Sequence, residues 1–439
     1  MDNISQKGSY IKAHLVFSPK DRGVFNFREL RGKIKDIVFK VASEAGVRID
    51  SGKFTRDYLY LQVSYPAQSF LENVIHEIKN KSSKEILSLV KAGQDDFWSE
   101  KYSAVLGEIV NLEELFKVAK QEPIIPVRGG IRCLVTGGAG FIGSTLADEL
   151  IKRGYEVSII DDLSTGKESY INPKAKFYKV DICDREAVKD VFAKEKFDYV
   201  FHLAAQIDVR ISVANPALDN KINVLGSLNI LESAYGNGVK KILFSSTGGA
   251  IYGETESGAT SEGAALEPLS PYGINKLAFE KLLFYYHKVY GQEYIALRLA
   301  NVYGPRQYKG GEAGVVSIFV DHAVNDKKVI INGDGLQTRD FVYVNDVVSG
   351  FIKAMDSDHV GEINIGTGVE TNLLQIVEAI EKATGRQMEK EFGPAKMGEQ
   401  KRSCLSFEKA KNILNWQPKM GLEEGIKKTV DWAYSKKQG

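Results

Sequence analysis

The stretch "TGGAGFIGS", Thr136 to Ser144, sets Gly137, Gly140 and Gly143 at three-residue spacing between two patterned runs. Before it, "IRCLVTG" reads as a buried strand; after it, "STLADELIKRG" reads as a helix stopped by glycine. A glycine turn in that context lets the backbone approach a pyrophosphate, because no Cβ intervenes. The helix N-terminus supplies N–H groups and the positive end of its dipole. Asp161 closes the next strand, "YEVSIID", about twenty residues on, where a carboxylate can accept the hydroxyls of an adenosine ribose. The same charge repels a 2′-phosphate, so the pattern points to NAD rather than NADP.

Further strands follow at "KFYKV", "YVFHLAA", "KILFSS" and "YIALRLA", each separated by helix-length segments. That alternation implies βαβ units and a Rossmann-type doubly wound parallel sheet. From about Gly304 the pattern loosens, as expected of a small C-terminal substrate lobe, and the last segment, from "FEKAKNILNW" onward, reads as two amphipathic helices. The turn normally comes near the start of its domain, yet here a long segment precedes it. "KQEPIIPVRGGI", Lys120 to Ile131, is the boundary expected from its prolines and Gly-Gly pair, dividing the chain into residues 1–128 and 129–439.

"SPYGINKLAFEK" places Tyr272 and Lys276 one helical turn apart on one face. A tyrosine of ordinary pKa, about 10, is a poor base at neutral pH. A neighbouring ammonium favours the phenolate and makes Tyr272 a usable base. The small-residue strand end "FSSTGGAIYG" lies upstream and completes the constellation.

With "DDLSTG", "VDICD", "FHLAAQ", "NVLGSLNILE", "LRLANVYGPRQ" and "GDGLQTRDFVYVNDV" added, Ile131 to Tyr434 resembles the extended short-chain dehydrogenase/reductases. Within them it is similar to the NAD-dependent epimerase/dehydratase family, closest to UDP-glucose 4-epimerases. The resemblance implies that Tyr272 is the base, that Lys276 lowers its pKa and binds ribose, and that Thr247, rather than Ser246, hydrogen-bonds the sugar. It assigns NAD contacts to Gly137, Gly140, Phe141, Ile142, Gly143, Asp161, Ser164, Asp181, Ile182, Leu203, Ala204, Ala205, Gln206, Asn223, Ser245, Tyr272 and Lys276. Substrate contacts fall on Thr247, Asn301, Arg339, Lys396, Glu399 and Ser403, where Lys396 and Glu399 replace the family's usual arginine and aspartate. The implied reaction is 4-epimerisation of a UDP-hexose through transient oxidation at C4, and a small Ser403 would admit an N-acetyl group. Dehydrating relatives need an acid just after the Thr/Ser position, and Gly248 and Gly249 stand there instead. A 4-ketoreductase using the same triad, or an NAD-sensing regulatory or nucleic-acid-binding protein, is the alternative.

The front segment, about Tyr10 to Gln121, reads strand–helix–strand–strand–helix–strand, a ferredoxin-like α+β domain. Through "HLVFSPK", the strand ending in "SYP" and "FWSEKYSA" it resembles the single-strand DNA transposases of insertion sequences. That family carries a metal-binding His-x-His pair where this chain has Tyr58-Leu59-Tyr60, and a nucleophilic tyrosine where Ser103 to Gly130 has none. The expectation is a catalytically inactive domain without a metal, its leading role dimerisation. Its basic stretches are offset by acids, so nucleic acid is not an expected partner.

A net charge of +1 over 439 residues exerts no general pull on nucleic acid or membrane. Cys133, Cys183 and Cys404 follow no ligand spacing and fit a reducing compartment. No apolar run is long enough to cross a bilayer. The sequence therefore leads us to expect a cytoplasmic homodimer acting on a UDP-sugar.

Overall fold

Alternation along "YIKAHLVFSP" puts Ile11, Ala13, Leu15 and Phe17 on one side of a strand. A computed structural model of the chain describes residues 10–19, 28–54, 59–66, 69, 71–90, 97–106, 124–127, 130–254, 258–307, 314–394 and 400–437. In it that run is β1 (Tyr10–Pro19), followed by the helix Arg28–Glu44, β2 (Arg48–Phe54), β3 (Leu59–Pro66), the helix Leu71–Val90 and β4 (Trp98–Leu106). The sheet order β2-β3-β1-β4, antiparallel throughout, is the expected ferredoxin-like topology. Ile34, Val38 and Ala42 from the first helix and Ile75, Ile78 and Ile86 from the second form one core with Leu15, Phe17, Leu61 and Val63.

The segment read as a linker holds a further strand, β5 (Ile124–Val127), parallel to β4 at the sheet edge. Its Pro126 lacks an N–H, which an edge strand tolerates and an interior one does not. Tyr58 lies outside the described residues. Tyr60 shares a strand face with His14, their rings stacked at 5.9 Å and the hydroxyl 2.6 Å from Nδ1. His14 thus has a partner across the sheet, whereas His76 is exposed on its helix. Among the described residues no three His, Cys, Asp or Glu side chains gather to hold a metal. No helix of the described residues is long and apolar enough to cross a membrane.

The chain divides into two compact units, with the principal break between Gly130 and Ile131. The second is built on β6 (Arg132–Thr136), β7 (Glu156–Asp161), β8 (Lys176–Lys179), β9 (Tyr199–His202), β10 (Lys241–Thr247) and β11 (Glu293–Leu299). A seventh strand, Gly361–Ile365, extends the sheet to the order β8-β7-β6-β9-β10-β11-(Gly361–Ile365), every pair parallel. Strand order reverses between β6 and β9, the switch point at which such sheets bind ligands. Consecutive strand residues face opposite ways. Phe201 accordingly meets Phe351 of the helix Val344–Asp356, while His202 meets Phe279 of the helix Pro271–Tyr290.

The seventh strand lies in the stretch read as lobe. Its five residues include a buried asparagine, Asn364, whose side chain accepts the Tyr252 hydroxyl and donates to the Thr260 carbonyl. So short a run with a polar residue between its two isoleucines carries little strand signal. The lobe itself packs the helices Val315–Val324, Leu373–Thr384 and Leu422–Lys437 around Val329, Ile331, Ile376, Ile380, Ile426 and Val430.

In the front unit, Trp98 is fully buried, and its indole N–H donates to Ser82 Oγ at 2.8 Å. Trp98→Ala is expected to cost that unit about 3–5 kcal/mol. Urea denaturation followed by circular dichroism should then show the front transition at lower urea, with that of residues 131–437 unmoved.

Candidate active site

Gly137 adopts φ 71°, and a Cβ there would lie 2.8 Å from the Ala204 nitrogen. A Cβ on Gly143 would come within 2.1 Å of the Gly137 carbonyl. Backbone therefore closes on backbone at the start of the helix Phe141–Lys152, and only glycine fits. The turn opens onto a cavity of about 710 Å³ at the switch point. The wall includes Gly137, Gly140, Phe141, Ile142, Gly143, Asp161, Ser164, Asp181, Ile182, Leu203, Ala204, Ala205, Gln206, Ser245, Thr247, Tyr272, Lys276 and Asn301.

Thr136 and His202 end β6 and β9 side by side. The Thr136 hydroxyl oxygen accepts the N–H groups of Leu203 and Ala204, both at 3.1 Å, so its proton must go to His202 Nδ1, 2.8 Å away. His202 Nε2–H then donates to Ser227 Oγ at 2.8 Å, which fixes the neutral tautomer. Complete burial pushes the imidazole down to about 3, with the Lys276 charge as the lesser cause.

Asp161 ends β7 with its carboxylate buried. One oxygen accepts the Ala139 N–H and the other the Leu163 N–H, each at 2.9 Å. Each oxygen keeps a lone pair, the arrangement a ribose diol requires. Burial raises the carboxyl above its ordinary value, and the two N–H donors oppose that shift. The glycine turn, this carboxylate and the cavity together fit a dinucleotide.

Ser270 caps the helix Pro271–Tyr290 by accepting the Gly273 N–H, which starts the helix at the wall. Lys276 Nζ donates to the Ser245 carbonyl at 2.9 Å and lies 5.8 Å from the centre of the Tyr272 ring. Burial pushes this ammonium down to about 8, against the opposing pull of Asp219 and Glu280. Glu280 continues the four-residue repeat and is bound bidentately by Arg298, at 3.0 and 2.7 Å, with both side chains buried. Ser246 Oγ donates to the same carboxylate at 2.6 Å. The Ser246 hydroxyl is thereby taken by Glu280, while Ser246 and Thr247 both line the cavity.

Three residues expected at the site lie off the wall. Asn223 is 1 % exposed, and its amide brackets the Gln206 backbone, accepting its N–H at 2.9 Å and donating to its carbonyl at 2.8 Å. Arg339 and Ser403 face one another in parallel register on neighbouring strands of the lobe. Lys396 and Glu399 lie outside the described residues. Ser164 reaches the wall, but its hydroxyl donates to Asp162 Oδ1 at 2.6 Å. Conversely, Tyr170, Arg306 and Gln307 line the cavity without having been singled out in the sequence. The signal available for the last two was "YGPRQ", where Gly304 takes φ 148° and a Cβ would strike Val344 at 2.7 Å.

His202 makes the site's stability depend on pH. The folded imidazole stays neutral to about 3, whereas an unfolded one titrates near 6.5. The unfolded chain alone binds the proton between those values, so stability falls as pH drops from about 6.5 toward 3. At ~1.36 kcal/mol per unit the loss is on the order of 5 kcal/mol. Denaturant midpoints measured from pH 7 to pH 4 should fall in the wild type and flatten in His202→Gln.

Residues 133–366 match the family described as NAD dependent epimerase/dehydratase, and residues 7–117 match the transposase IS200 like family. A putative UDP-glucose 4-epimerase of Methanocaldococcus jannaschii is 46% identical over 299 residues, 68% of this chain and 97% of the relative. The UDP-glucose 4-epimerase of Thermotoga maritima, solved with UDP-glucose, is 46% identical with a TM-score of 0.69, across 70% of this chain and 100% of that one. The Thermus thermophilus UDP-glucose 4-epimerase, solved with NAD, is 42% identical with a TM-score of 0.67, across 69% and 99%. The chain belongs to the NAD-dependent epimerase/dehydratase family of nucleotide-sugar enzymes, carried on a sheet and a glycine turn that begin only after residue 130.

Proposed function

We propose that the chain interconverts UDP-glucose and UDP-galactose by transient oxidation at C4, and accepts the N-acetyl forms. The observation that carries this reading is the grouping of Tyr272, Lys276 and Thr247 on one cavity wall, with Gly248 and Gly249 directly after Thr247. A Cβ on Gly248 would lie 2.3 Å from Leu405 Cδ1, so space at that position is already taken by the lobe. Bound NAD supplies a reversible hydride acceptor. Tyr272 takes the proton of the 4-hydroxyl and returns it to the epimeric alkoxide. Lys276, mainly protonated at neutral pH, favours the phenolate. The Thr247 hydroxyl orients the sugar. Asn301, Arg339, Lys396 and Glu399 are assigned to the nucleoside diphosphate, and Ser403 to the sugar's 2-substituent.

The front domain, residues 1–128, is assigned no catalysis of its own, and dimerisation stays its leading assigned role. We assign the enzyme a homodimeric state to which the second unit also offers a surface. Ile274, Phe284, Tyr285, Val289 and Tyr290 expose 45–56 % of their surface along one helix, with Tyr235 stacked 5.1 Å from Tyr290. An apolar face of this extent asks for cover, and a twofold contact between two copies of one helix is self-complementary.

Two measurements test these assignments. UDP-galactose incubated with purified protein and no added NAD should be converted to UDP-glucose, and Tyr272→Phe should lower that rate by at least about 10²-fold. A wild type inert toward UDP-galactose sinks the epimerase reading, and one inert only toward UDP-N-acetylglucosamine sinks the assignment of Ser403. Sedimentation should give a dimer for the full chain and a weakened dimer for Phe284→Glu/Val289→Glu; a wild-type monomer rejects the dimer.

A further inference from the structure

Arg306 is held in an unusual way on the cavity wall. Its backbone takes φ 72°, a left-handed conformation that a non-glycine residue adopts only when its surroundings impose it. Gly304, two residues earlier, makes the turn that brings it there. One guanidinium nitrogen, Nη2, binds Asp148 Oδ2 at 2.7 Å, and Asp148 stands on the helix Phe141–Lys152, whose first residues form the dinucleotide turn. The guanidinium carbon lies 5.6 Å from the centre of the Tyr170 ring. Ring and carboxylate thus fix the plane of the fork.

A second guanidinium nitrogen, Nη1, is sealed from solvent and has no partner among the described residues, although the side chain as a whole is 29 % exposed. Gln307 Oε1, beside it on the same wall, is likewise sealed and unpartnered among the described residues. A buried guanidinium nitrogen without an acceptor is costly. Its position on this cavity and its tie to the dinucleotide-turn helix indicate an acceptor that arrives with a ligand. A diphosphate oxygen has the charge and geometry for it.

We propose that Arg306 is a latch on the pyrophosphate of NAD, reaching from the loop after Tyr303 to the glycine-turn helix and closing the cofactor in. NAD rather than the sugar nucleotide is the source of that diphosphate, because the anchor Asp148 sits on the helix whose N-terminus cradles the dinucleotide. Retention matters for an epimerase, since a cofactor lost between the two halves of a cycle leaves the sugar oxidised. The proposal rests on NAD occupying this cavity, and not on which sugar is turned over.

The test compares wild type, Arg306→Met, Arg306→Lys and Asp148→Asn, all as full-length protein. NAD is first released and then titrated back by calorimetry without sugar, so the outcome stands whether or not UDP-galactose is a substrate. Arg306→Met should weaken NAD binding on the order of tenfold or more, the size expected of a charge-assisted hydrogen bond. Arg306→Lys, which keeps the charge but loses the fork, should fall between, and Asp148→Asn should weaken binding less than Arg306→Met. At saturating NAD the KM for the UDP-sugar should stay within about twofold of wild type. Unchanged NAD affinity in both Arg306 variants overturns the latch. A raised sugar-nucleotide KM with unchanged NAD affinity also overturns it, and moves Arg306 to the diphosphate of the substrate.

Discussion

The junction of Thr136 with His202 holds the site together. Two parallel strands end there, and the backbone N–H groups of Leu203 and Ala204 follow, the first also reaching the Thr136 carbonyl at 3.2 Å. One hydroxyl accepts both and passes its own proton to a neutral imidazole. That exchange presses the Ala204 backbone against Gly137, the approach that excludes a side chain from the turn. On its other side the imidazole packs against Phe244 and Phe279, and Phe279 belongs to the helix that carries Tyr272 and Lys276. A single uncharged ring thus joins the glycine turn to the helix of Tyr272 and Lys276.

A second buried network extends this order to the lobe. Glu280 and Arg298 neutralise each other without exposure to water, which further hydrogen bonds to both groups make tolerable. Ser246 and Tyr252 supply those partners, and Tyr252 passes on to Asn364, which holds the Thr260 carbonyl. Thr260 pairs with the backbone on both sides of Leu405. The residue that fills the space over Gly248 is therefore positioned from the base of the catalytic helix.

Legibility in the sequence followed the range of the interactions involved. The glycine turn, Asp161 and the Tyr272–Lys276 pair are local patterns, readable because a strand, a turn and one helical turn each impose a short period. The commitment of Ser246 to Glu280 was not readable from neighbouring residues, since it joins a strand end to a helix 34 positions on. Arg306 escaped for a related reason: its partners, Asp148 and Tyr170, precede it by well over a hundred residues. The strand Ile124–Val127 was hidden by its proline, which reads as a breaker until an edge position makes the missing N–H harmless. In the front domain the chain order alone carried the topology, because each amphipathic element has only one apolar face to bury.

The contact between Leu405 and Gly248 also bears on how such an enzyme can diverge. The resemblance places the acid of dehydrating relatives where Gly248 and Gly249 stand. At 248 a side chain would meet that of Leu405, whose backbone N–H donates to the buried Asp340, whereas a Cβ at 249 meets only Asn301 Oδ1 at 3.7 Å. The two glycines thus differ in what they tolerate: a side chain at 248 requires that of Leu405 to move, and one at 249 does not. Divergence at this wall is open at one position and coupled to the lobe at the other.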